Sequence, residues 1–178
     1  MTNWYVLIVG GIMIGVLGMT ALLLGSFLWT LIAGAPHVAI DRARLKRIIA
    51  DLHLTKHDTV VDLGAGTATF VRAAAGQCKQ VIGYEINPLL AIWSRWRLRR
   101  HPNAHILNRS LFHADLKGAT VIYLYLFPPL MPRVTRFLRE NAQPGARILS
   151  VGFQLSAWKP VSQRDSVYMY QVKGGDDE

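Results

Sequence analysis

The chain has 178 residues, which leaves room for one ordinary domain, and it carries 20 Lys and Arg against 11 Asp and Glu. Its single cysteine, Cys78, excludes an internal disulfide framework and fits a reducing compartment. Every Lys, Arg, Asp and Glu lies beyond residue 40, so the formal net charge of +9 belongs to the part that follows. Such a basic balance suits an anionic membrane surface or nucleic acid.

The first predicted element is an apolar helix over residues 4–33. From Trp4 to Pro36 the sequence has no charged residue and no histidine. Because about 20 apolar residues span the roughly 30 Å hydrocarbon core of a bilayer, we predict a transmembrane helix. A cleavable signal peptide is the alternative, since Ala33-Gly34-Ala35 fits the cleavage pattern. The apolar run is long for such a peptide, however, and no basic residue precedes it.

The basic residues around this helix predict its orientation. None precedes it, and those that follow soon after are Arg42, Arg44, Lys46 and Arg47. The positive-inside rule therefore predicts a single-pass protein of the cytoplasmic (inner) membrane, with its N-terminus outside and the remaining chain in the cytoplasm. Gly11 and Gly15 form a G-x-x-x-G pattern within the helix, which would allow it to pair with another helix.

Residues 34–37 are predicted to be a linker that reaches no further than about 14 Å, which would hold a domain at 38–173 close to the bilayer. Residues 174–178 read as a flexible tail. Within the domain an amphipathic helix is predicted at 38–54, and further helices at 68–76, 88–100 and 130–141. Strands are predicted at 59–63, 80–84, 105–108, 120–127, 147–153 and 167–172. Strands that alternate with helices predict an α/β, Rossmann-like fold, with a mostly parallel sheet covered by helices on both faces.

The stretch VVDLGAGTATF, residues 60–70, predicts a strand that runs into a glycine-rich, nucleotide-binding turn. Thr69 stands where a dinucleotide fingerprint needs Gly or Ala, and no Gly-Lys-Ser/Thr follows, which excludes a P-loop. Asp62 would repel a pyrophosphate but attract a cationic ligand. Because S-adenosylmethionine carries an ammonium and a sulfonium and no phosphate, the turn favours this cofactor.

Three residues beyond the next two strands suit the rest of such a cofactor. Glu85 ends the second strand, where an acid can accept two hydrogen bonds from a ribose diol. Ile86 and Leu111 would sandwich an adenine ring, although ordinary core packing explains them equally well.

Four stretches together resemble a class I, seven-strand methyltransferase: VVDLGAGTATFVRAAA, VIGYEINPLLAIWSRWR, SLFHADLKGATVIYLYLFPPLM and QPGARILSVGFQL. In particular, Gly83 to Pro88 and the apolar N-terminus resemble the membrane-anchored lysine methyltransferases of the ATP synthase c-subunit and the adenine nucleotide translocase, and their bacterial relatives. The resemblance implies S-adenosylmethionine as cofactor, bound by the turn at Asp62, Gly64, Ala65 and Gly66 and by Glu85. The family usually has an acid at the position of Ser110, where the hydroxyl would replace part of an adenine contact. Thr67-Ala68 stands where relatives often carry Asp-Gly.

Leu126-Phe127-Pro128-Pro129-Leu130 resembles the Asp/Asn-Pro-Pro-aromatic motif of methyltransferases that act on amide or base nitrogens, but it lacks the polar first residue. A nucleic-acid base is therefore a disfavoured acceptor. Tyr125, Phe127 and Pro128 are the predicted catalytic-site residues, because two aromatic rings could line a channel for a lysine amine by cation-π contact. Simple core packing is the alternative for both rings. No side-chain nucleophile is expected, since methyl transfer from a sulfonium is an in-line displacement.

The basic residues of two helices suit an anionic membrane surface, or alternatively plain solvent: Arg95, Arg97, Arg99, Arg100, Arg133, Arg136 and Arg139. His53 and His57 lack a third ligand, so no metal site is predicted. The predicted function is methylation of a lysine in a small integral membrane protein. Two alternatives stay open: methylation of a lipid or other membrane-soluble molecule, and a catalytically silent module that assembles a membrane complex.

Overall fold

The structure, a computed structural model, describes residues 4–32 and 40–174, with only the backbone described at 29–32. An apolar helix, α1, covers Trp4–Ile32. Its Trp4–Leu28 segment has a mean hydropathy of 2.5, and α1 is the one helix of the described chain that is long and apolar enough to cross a membrane. A signal sequence would also meet this criterion of length and hydropathy. The predicted linker at residues 34–37 lies outside the described residues.

The rest of the described chain alternates helices with strands. The further helices are α2 (Arg42–Asp51), α3 (Thr69–Ala75), α4 (Pro88–Arg97) and α5 (Met131–Asn141). The strands are β1 (Thr59–Leu63), β2 (Gln80–Tyr84), β3 (Ala104–Leu107), β4 (Val121–Leu124), β5 (Arg147–Val151), β6 (Ser162–Arg164) and β7 (Val167–Gln171). Short 3₁₀ turns follow β3 and β4, at Leu111–His113 and Pro128–Leu130.

The strands form one seven-stranded sheet in the order β3-β2-β1-β4-β5-β7-β6. Strands β1 to β5 are parallel, while β7 runs antiparallel to β5 and β6 antiparallel to β7. The predicted Rossmann-like architecture is therefore confirmed. Strand order reverses between β1 and β4, and ligands of such sheets bind at this switch point, outside the carboxyl ends of the strands.

Helices cover both faces of the sheet, as predicted. On one face α2, α3 and α4 pack on the strands, with Ile48, Leu52 and Val71 at most 2% exposed. On the other face α5 packs on the sheet through Val134 and Leu138, both at 0% exposure. Each helix thus buries the apolar side of an amphipathic pattern, which fixes its orientation on the sheet.

Some predicted boundaries were wrong, and one strand was missed. Strand β4 ends at Leu124 rather than residue 127, because the chain turns there towards the Pro128–Leu130 turn. Helix α4 ends at Arg97 instead of residue 100. Strand β6 was not predicted, since Ser162–Arg164 is polar and exposed throughout and carries no apolar alternation. It pairs with β7 through a tight turn in which Asp165 and Ser166 have φ of 48° and 58°.

A polar cluster lies at the amino-terminal ends of the strands, at the opposite end from the switch point. This end of the strands is here called the amino edge of the sheet, and the other end the carboxyl edge. Asp58 accepts hydrogen bonds from the backbone N–H and hydroxyl of Thr55 at 2.7 and 2.9 Å and from the Thr120 hydroxyl at 2.6 Å. Arg147 forms an ion pair with the same carboxylate at 3.1 Å. Burial alone would raise the pKa of Asp58, but these hydrogen bonds and the Arg147 charge hold it below its ordinary value.

Candidate active site

The glycine turn after β1 is held against the end of β2 by its backbone. The N–H groups of Gly64 and Ala65 both donate to the carbonyl of Tyr84, at 3.0 and 2.9 Å. Gly64 has a φ of 106°, and a Cβ at this position would lie 2.7 Å from the Cδ2 atom of Leu126. This backbone conformation favours glycine, and a Cβ would also require the Leu126 side chain to move.

The Glu85 carboxylate is held by backbone N–H groups of the glycine turn and of the loop that follows β2. Its Oε2 atom accepts the N–H of Gly66 at 2.8 Å, and its Oε1 atom accepts the N–H of Asn87 at 2.7 Å. The side chain of Asn108 donates to the Glu85 carbonyl at 2.9 Å and so ties this residue to the end of β3. Each carboxylate oxygen keeps a further lone pair. The carboxylate lines the cavity and can accept hydroxyl donors there.

Asp62 differs from Glu85 because one of its carboxylate oxygens has no hydrogen bond to the described part of the chain. The side chain is 2% exposed, and its Oδ1 atom has no hydrogen-bond partner among the described residues. Burial, and secondly the charge of Glu85, raise the pKa of Asp62 well above its ordinary value. A buried acceptor without a partner is costly, and a cationic ligand in the adjoining cavity would remove that cost.

One cavity at the carboxyl ends of β1, β2 and β4 brings most of the predicted site residues together. Those that line it are Asp62, Gly64, Ala65, Glu85, Ile86, Ser110, Leu111, Tyr125 and Phe127. Gly66 does not line the cavity but holds Glu85, and Pro128 lies outside the lining as an exposed residue. The lining also includes Ile40, Leu90 and Leu130, which had not been predicted. Among the described residues no group of three His, Cys, Asp or Glu could hold a metal ion.

The adenine side of the predicted site is apolar with one hydroxyl. Ile86 and Leu111 are both half-buried and line the same cavity. Ser110 begins the 3₁₀ turn, and its hydroxyl accepts the N–H of Phe112 over a long 3.4 Å. Because a hydroxyl oxygen has two lone pairs, Ser110 keeps acceptor capacity towards the cavity.

The opposite side of the cavity is aromatic. Tyr123 stacks on Phe70, with ring centroids 3.6 Å apart and an interplanar angle of 5°. Burial, and secondly the charge of Asp62, raise the pKa of Tyr123, so its hydroxyl stays protonated. Tyr125 is half-buried, whereas Phe127 is 40% exposed at the mouth of the cavity.

Several residues that support the site had not been predicted. The Ser94 hydroxyl donates to the Gly66 carbonyl at 2.7 Å, and Arg97 donates to the Thr67 carbonyl at 2.5 Å. Both side chains lie on α4, so this helix holds the glycine turn from behind. The Asn87 side chain accepts the N–H groups at the start of α4. Asn87-Pro88 is a recognisable start signal for a helix, whereas Ser94 and Arg97 leave no signal in the sequence because their partners are backbone carbonyls.

Four of the arginines predicted to form basic faces make contacts within the domain. Arg95 donates to the Ile106 carbonyl at 2.9 Å, and Arg97 is engaged by the glycine turn. Arg133 lies over the ring of Phe112 at 3.9 Å from the centroid, and Arg139 donates to the Ala157 carbonyl at 3.2 Å. Arg95, Arg133 and Arg139 nevertheless remain exposed, whereas Arg97 is half-buried.

Helix α1 contacts the domain beside this cavity. The Asn87 side-chain amide donates to the hydroxyl of Ser26 at 2.7 Å and to its carbonyl at 3.2 Å. Ser26 also lines a second cleft together with Ile86, Pro88 and Asn108. The last turns of the apolar helix thus lie against the loop that follows Glu85.

Comparison with known families agrees with this arrangement. The family described as ANTKMT methyltransferase domain matches residues 62–173. The lysine N-methyltransferase of the ATP synthase c-subunit from Xenopus laevis is 28% identical over 128 residues, which cover 70% of this chain and 56% of that protein. The adenine nucleotide translocase lysine N-methyltransferase of Mus musculus is 28% identical, with 78% and 64% covered. The matched part of the chain therefore spans less than two thirds of either relative.

A solved structure shares the fold over nearly its whole length. It is an RNA methyltransferase from Salinibacter ruber in complex with S-adenosyl-L-homocysteine, 27% identical with a TM-score of 0.71. The superposition covers 79% of this chain and 97% of the other.

Proposed function

The chain belongs to the ANTKMT methyltransferase family, and we propose that it methylates a lysine side chain of a small integral membrane protein. S-adenosylmethionine is the methyl donor of this family of seven-strand methyltransferases. Relatives named as lysine N-methyltransferases of the ATP synthase c-subunit and of adenine nucleotide translocase support a protein lysine as acceptor.

The two acidic residues of the cavity, Asp62 and Glu85, suit two different groups of this cofactor. The unpartnered Oδ1 atom of Asp62 would accept the ammonium group, and the two fixed oxygens of Glu85 would accept the ribose hydroxyls. Gly64 leaves room for close approach to the turn, with Ala65 and Gly66 completing it. The remaining contacts proposed for the adenine ring are the two apolar side chains and the hydroxyl: Ile86, Leu111 and Ser110.

When bound, the cofactor supplies an electrophilic methyl group on a sulfonium. The protein must then present a neutral amine and keep water out. Lowering a lysine pKa from about 10.4 to 7 corresponds to roughly 4.6 kcal/mol. Ile40, Phe127 and Leu130 give the cavity apolar walls, which desolvate the amine and so disfavour its charged form.

The aromatic side of the cavity is proposed to position that amine. Tyr125 and Phe127 both line the cavity beyond the end of β4 and would flank the lysine chain. Pro128 is proposed to act indirectly, through the position of Phe127. It begins the 3₁₀ turn that has Phe127 as its N-terminal cap. The rigid proline would thus hold the Phe127 ring at the mouth.

The contact between Ser26 and Asn87 is the observation that carries the membrane part of the proposal. Asn87 is two residues beyond Glu85, so an inserted α1 would hold the cavity at the bilayer surface. We propose that α1 spans the inner membrane with the domain on its cytoplasmic side, near anionic headgroups. Gly11 and Gly15 are 4 residues apart on the exposed α1 surface, which would suit pairing with a substrate helix.

RNA is the second candidate acceptor, because the Salinibacter ruber protein is named an RNA methyltransferase. Phe127 stands where base-modifying enzymes of this kind carry a polar residue, and its side chain offers no hydrogen bond to a base amine. A lipid amine would use the same cavity and the same anchor, and it needs a separate test.

The test uses the full chain reconstituted into membranes from cells that lack the gene, with tritiated S-adenosylmethionine. We expect label in a protein band, and methylated lysine in that band by mass spectrometry. Mass spectrometry is needed because very small hydrophobic proteins also enter organic solvent. Label confined to extracted lipid, or to RNA that a nuclease removes, would contradict the proposal. A Glu85→Gln chain is the matched control and should transfer far less label when the cofactor concentration is kept below its raised Kd.

A further inference from the structure

Helix α4 has an outer face that the fold leaves uncovered. Its inner residues Ala91 and Ser94 are both at 0% exposure. The four residues on the other side, here called the α4 outer face, are Leu89, Ile92, Trp93 and Trp96, at 40%, 61%, 50% and 54% exposure. They lie three, four and seven positions apart and so form one stripe. Such a stripe of large apolar side chains marks an interaction surface.

The surroundings of this face are basic. Between Glu85 and Asp115 the sequence has five arginines and no acidic residue. The Arg99 guanidinium lies over the Trp96 ring at 4.4 Å from its centroid, and Arg100 beside it is exposed. Tryptophan together with arginine is typical of the bilayer interface, where rings sit at the headgroup level and guanidinium groups meet phosphates.

We propose that the α4 outer face inserts into the headgroup region of an anionic bilayer, as a second membrane contact beside α1. The inference rests on the proposed insertion of α1. Asn87, the residue that caps α4, is bonded to Ser26 of α1, so the start of α4 lies next to the apolar helix. The positive charge and the paired tryptophans, with ring centroids 5.0 Å apart, favour lipid over a further protein as the occupant.

Insertion of this face would set the height of the active site above the bilayer. The inner side of the same helix donates to the carbonyls of Gly66 and Thr67 through Ser94 and Arg97. One ten-residue helix therefore contacts the cofactor turn on one side and lipid on the other. The acceptor class that follows is a lysine near the membrane surface, since the cavity mouth cannot move far from the plane in which the tryptophans sit.

The depth of a spin label on α4 tests this inference. In the full chain, Cys78→Ala removes the native thiol, and Ile92→Cys carries a nitroxide on the α4 outer face. Ser162→Cys is the matched control, an exposed position on β6 at the other end of the sheet. Both proteins are placed in nanodiscs of phosphatidylcholine with phosphatidylglycerol, and in nanodiscs of phosphatidylcholine alone. Relaxation by oxygen, which partitions into lipid, is compared with relaxation by a water-soluble nickel chelate.

We expect the Ile92 label to be relaxed more by oxygen and less by nickel than the Ser162 label, with a smaller difference in phosphatidylcholine alone. Replacing Trp93 and Trp96 together by Ser should raise the nickel accessibility of the Ile92 label. Equal accessibility at both positions would overturn the inference. Shielding of the Ile92 label from both reagents would also overturn it, because a protein would then cover the face.

The spin-label depth measurement and the methyl-transfer assay test separate claims, so one can give a negative result without the other. A water-exposed Ile92 label in a protein that still methylates a membrane lysine would overturn the lipid contact alone. A lipid-exposed label in a protein that transfers no methyl group would leave the lipid contact intact and contradict the proposed function.

Discussion

Two aspartates four residues apart show how differently the two edges of the sheet are built. Asp58, at the amino edge, is bonded to Thr55, Thr120 and Arg147, and its pKa is lowered. Asp62, near the carboxyl edge, is more deeply buried, its Oδ1 atom has no partner among the described residues, and its pKa is raised. The protein therefore satisfies the first acid with its own groups, whereas the second is the proposed acceptor for a ligand.

This difference assigns stability to one end of the parallel strands and ligand binding to the other. Groups at the amino edge stabilise the fold, because each one is already paired. Groups at the carboxyl edge are held in position by backbone N–H donors but keep acceptor capacity towards the cavity, as Glu85 does. Substitutions at the two edges should therefore change different measurable quantities.

The largest effect is expected at Glu85. Glu85→Ala removes the proposed acceptor for two ribose hydroxyls, and hydrogen bonds to charged groups contribute about 1.5–3 kcal/mol each. We expect the Kd for S-adenosylmethionine to rise by about 100-fold or more in calorimetry. Glu140→Ala, an exposed acid on α5, is the control and should bind normally. Normal binding by a folded Glu85→Ala protein would contradict the proposed site.

At the amino edge, Asp58→Asn should destabilise the protein without changing cofactor affinity. Removing one partner of a partly buried ion pair costs about 2–3 kcal/mol, less than a fully buried pair because Arg147 is 30% exposed. Since the folded pKa of Asp58 is depressed, its stabilisation is present above the ordinary value of 3.8 and is lost as pH falls through the folded pKa. Denaturant unfolding at several pH values measures this, with exposed Asp51→Asn as control.

Asp62→Asn should show the reverse pattern. We expect S-adenosylmethionine to bind about 10- to 100-fold more weakly, because the proposed acceptor for its ammonium loses its charge. Since the folded pKa of Asp62 is raised, the cofactor-free wild type loses stability as pH rises above the ordinary value of 3.8. The variant should thus be at least as stable as wild type at neutral pH, with the difference vanishing in acid. A large loss of stability at neutral pH would show that Asp62 has a partner in the fold.

The smallest effect is expected at Ser110. Ser110→Asp exchanges a neutral acceptor for a charged one beside the proposed adenine position, and the gain is about 1 kcal/mol, or about fivefold in affinity. Aspartate is also a good N-terminal cap, so the 3₁₀ turn should persist. Ser110→Ala, which removes the acceptor, should weaken binding. Equal affinities for all three proteins would show that this position does not contact the cofactor.

Most of the fold follows from patterns that the sequence displays. Mainly apolar runs at Val60–Leu63 and Val121–Leu124 give buried strands, and amphipathic spacing at Leu45, Ile48 and Ile49 gives a packed helix. Ala68 was visible only as a departure from the family pattern. In the structure Ala68 has a φ of 57°. Glycine adopts this left-handed conformation with less strain, so the alanine costs about 1 kcal/mol of backbone strain.

Residues that act through backbone partners could not be predicted in the same way. Ser94 and Arg97 bond carbonyls of the glycine turn 28 and 30 residues away, and no residue type or spacing signals such partners. The contact between Ser26 and Asn87 depends on how an apolar helix docks, which composition does not encode. Ile40 likewise reaches the cavity only through the tertiary fold.

Lysine methylation in the membrane proteome provides the most direct test of the proposed activity. Integral membrane proteins are compared by quantitative mass spectrometry in cells that carry the gene, cells that lack it, and cells complemented with Glu85→Gln. We predict that a methylated lysine in a small membrane protein disappears without the gene and is restored by the wild-type chain alone. An unchanged set of methylated lysines, or restoration by the Glu85→Gln chain, would contradict a methyltransferase that uses this cavity.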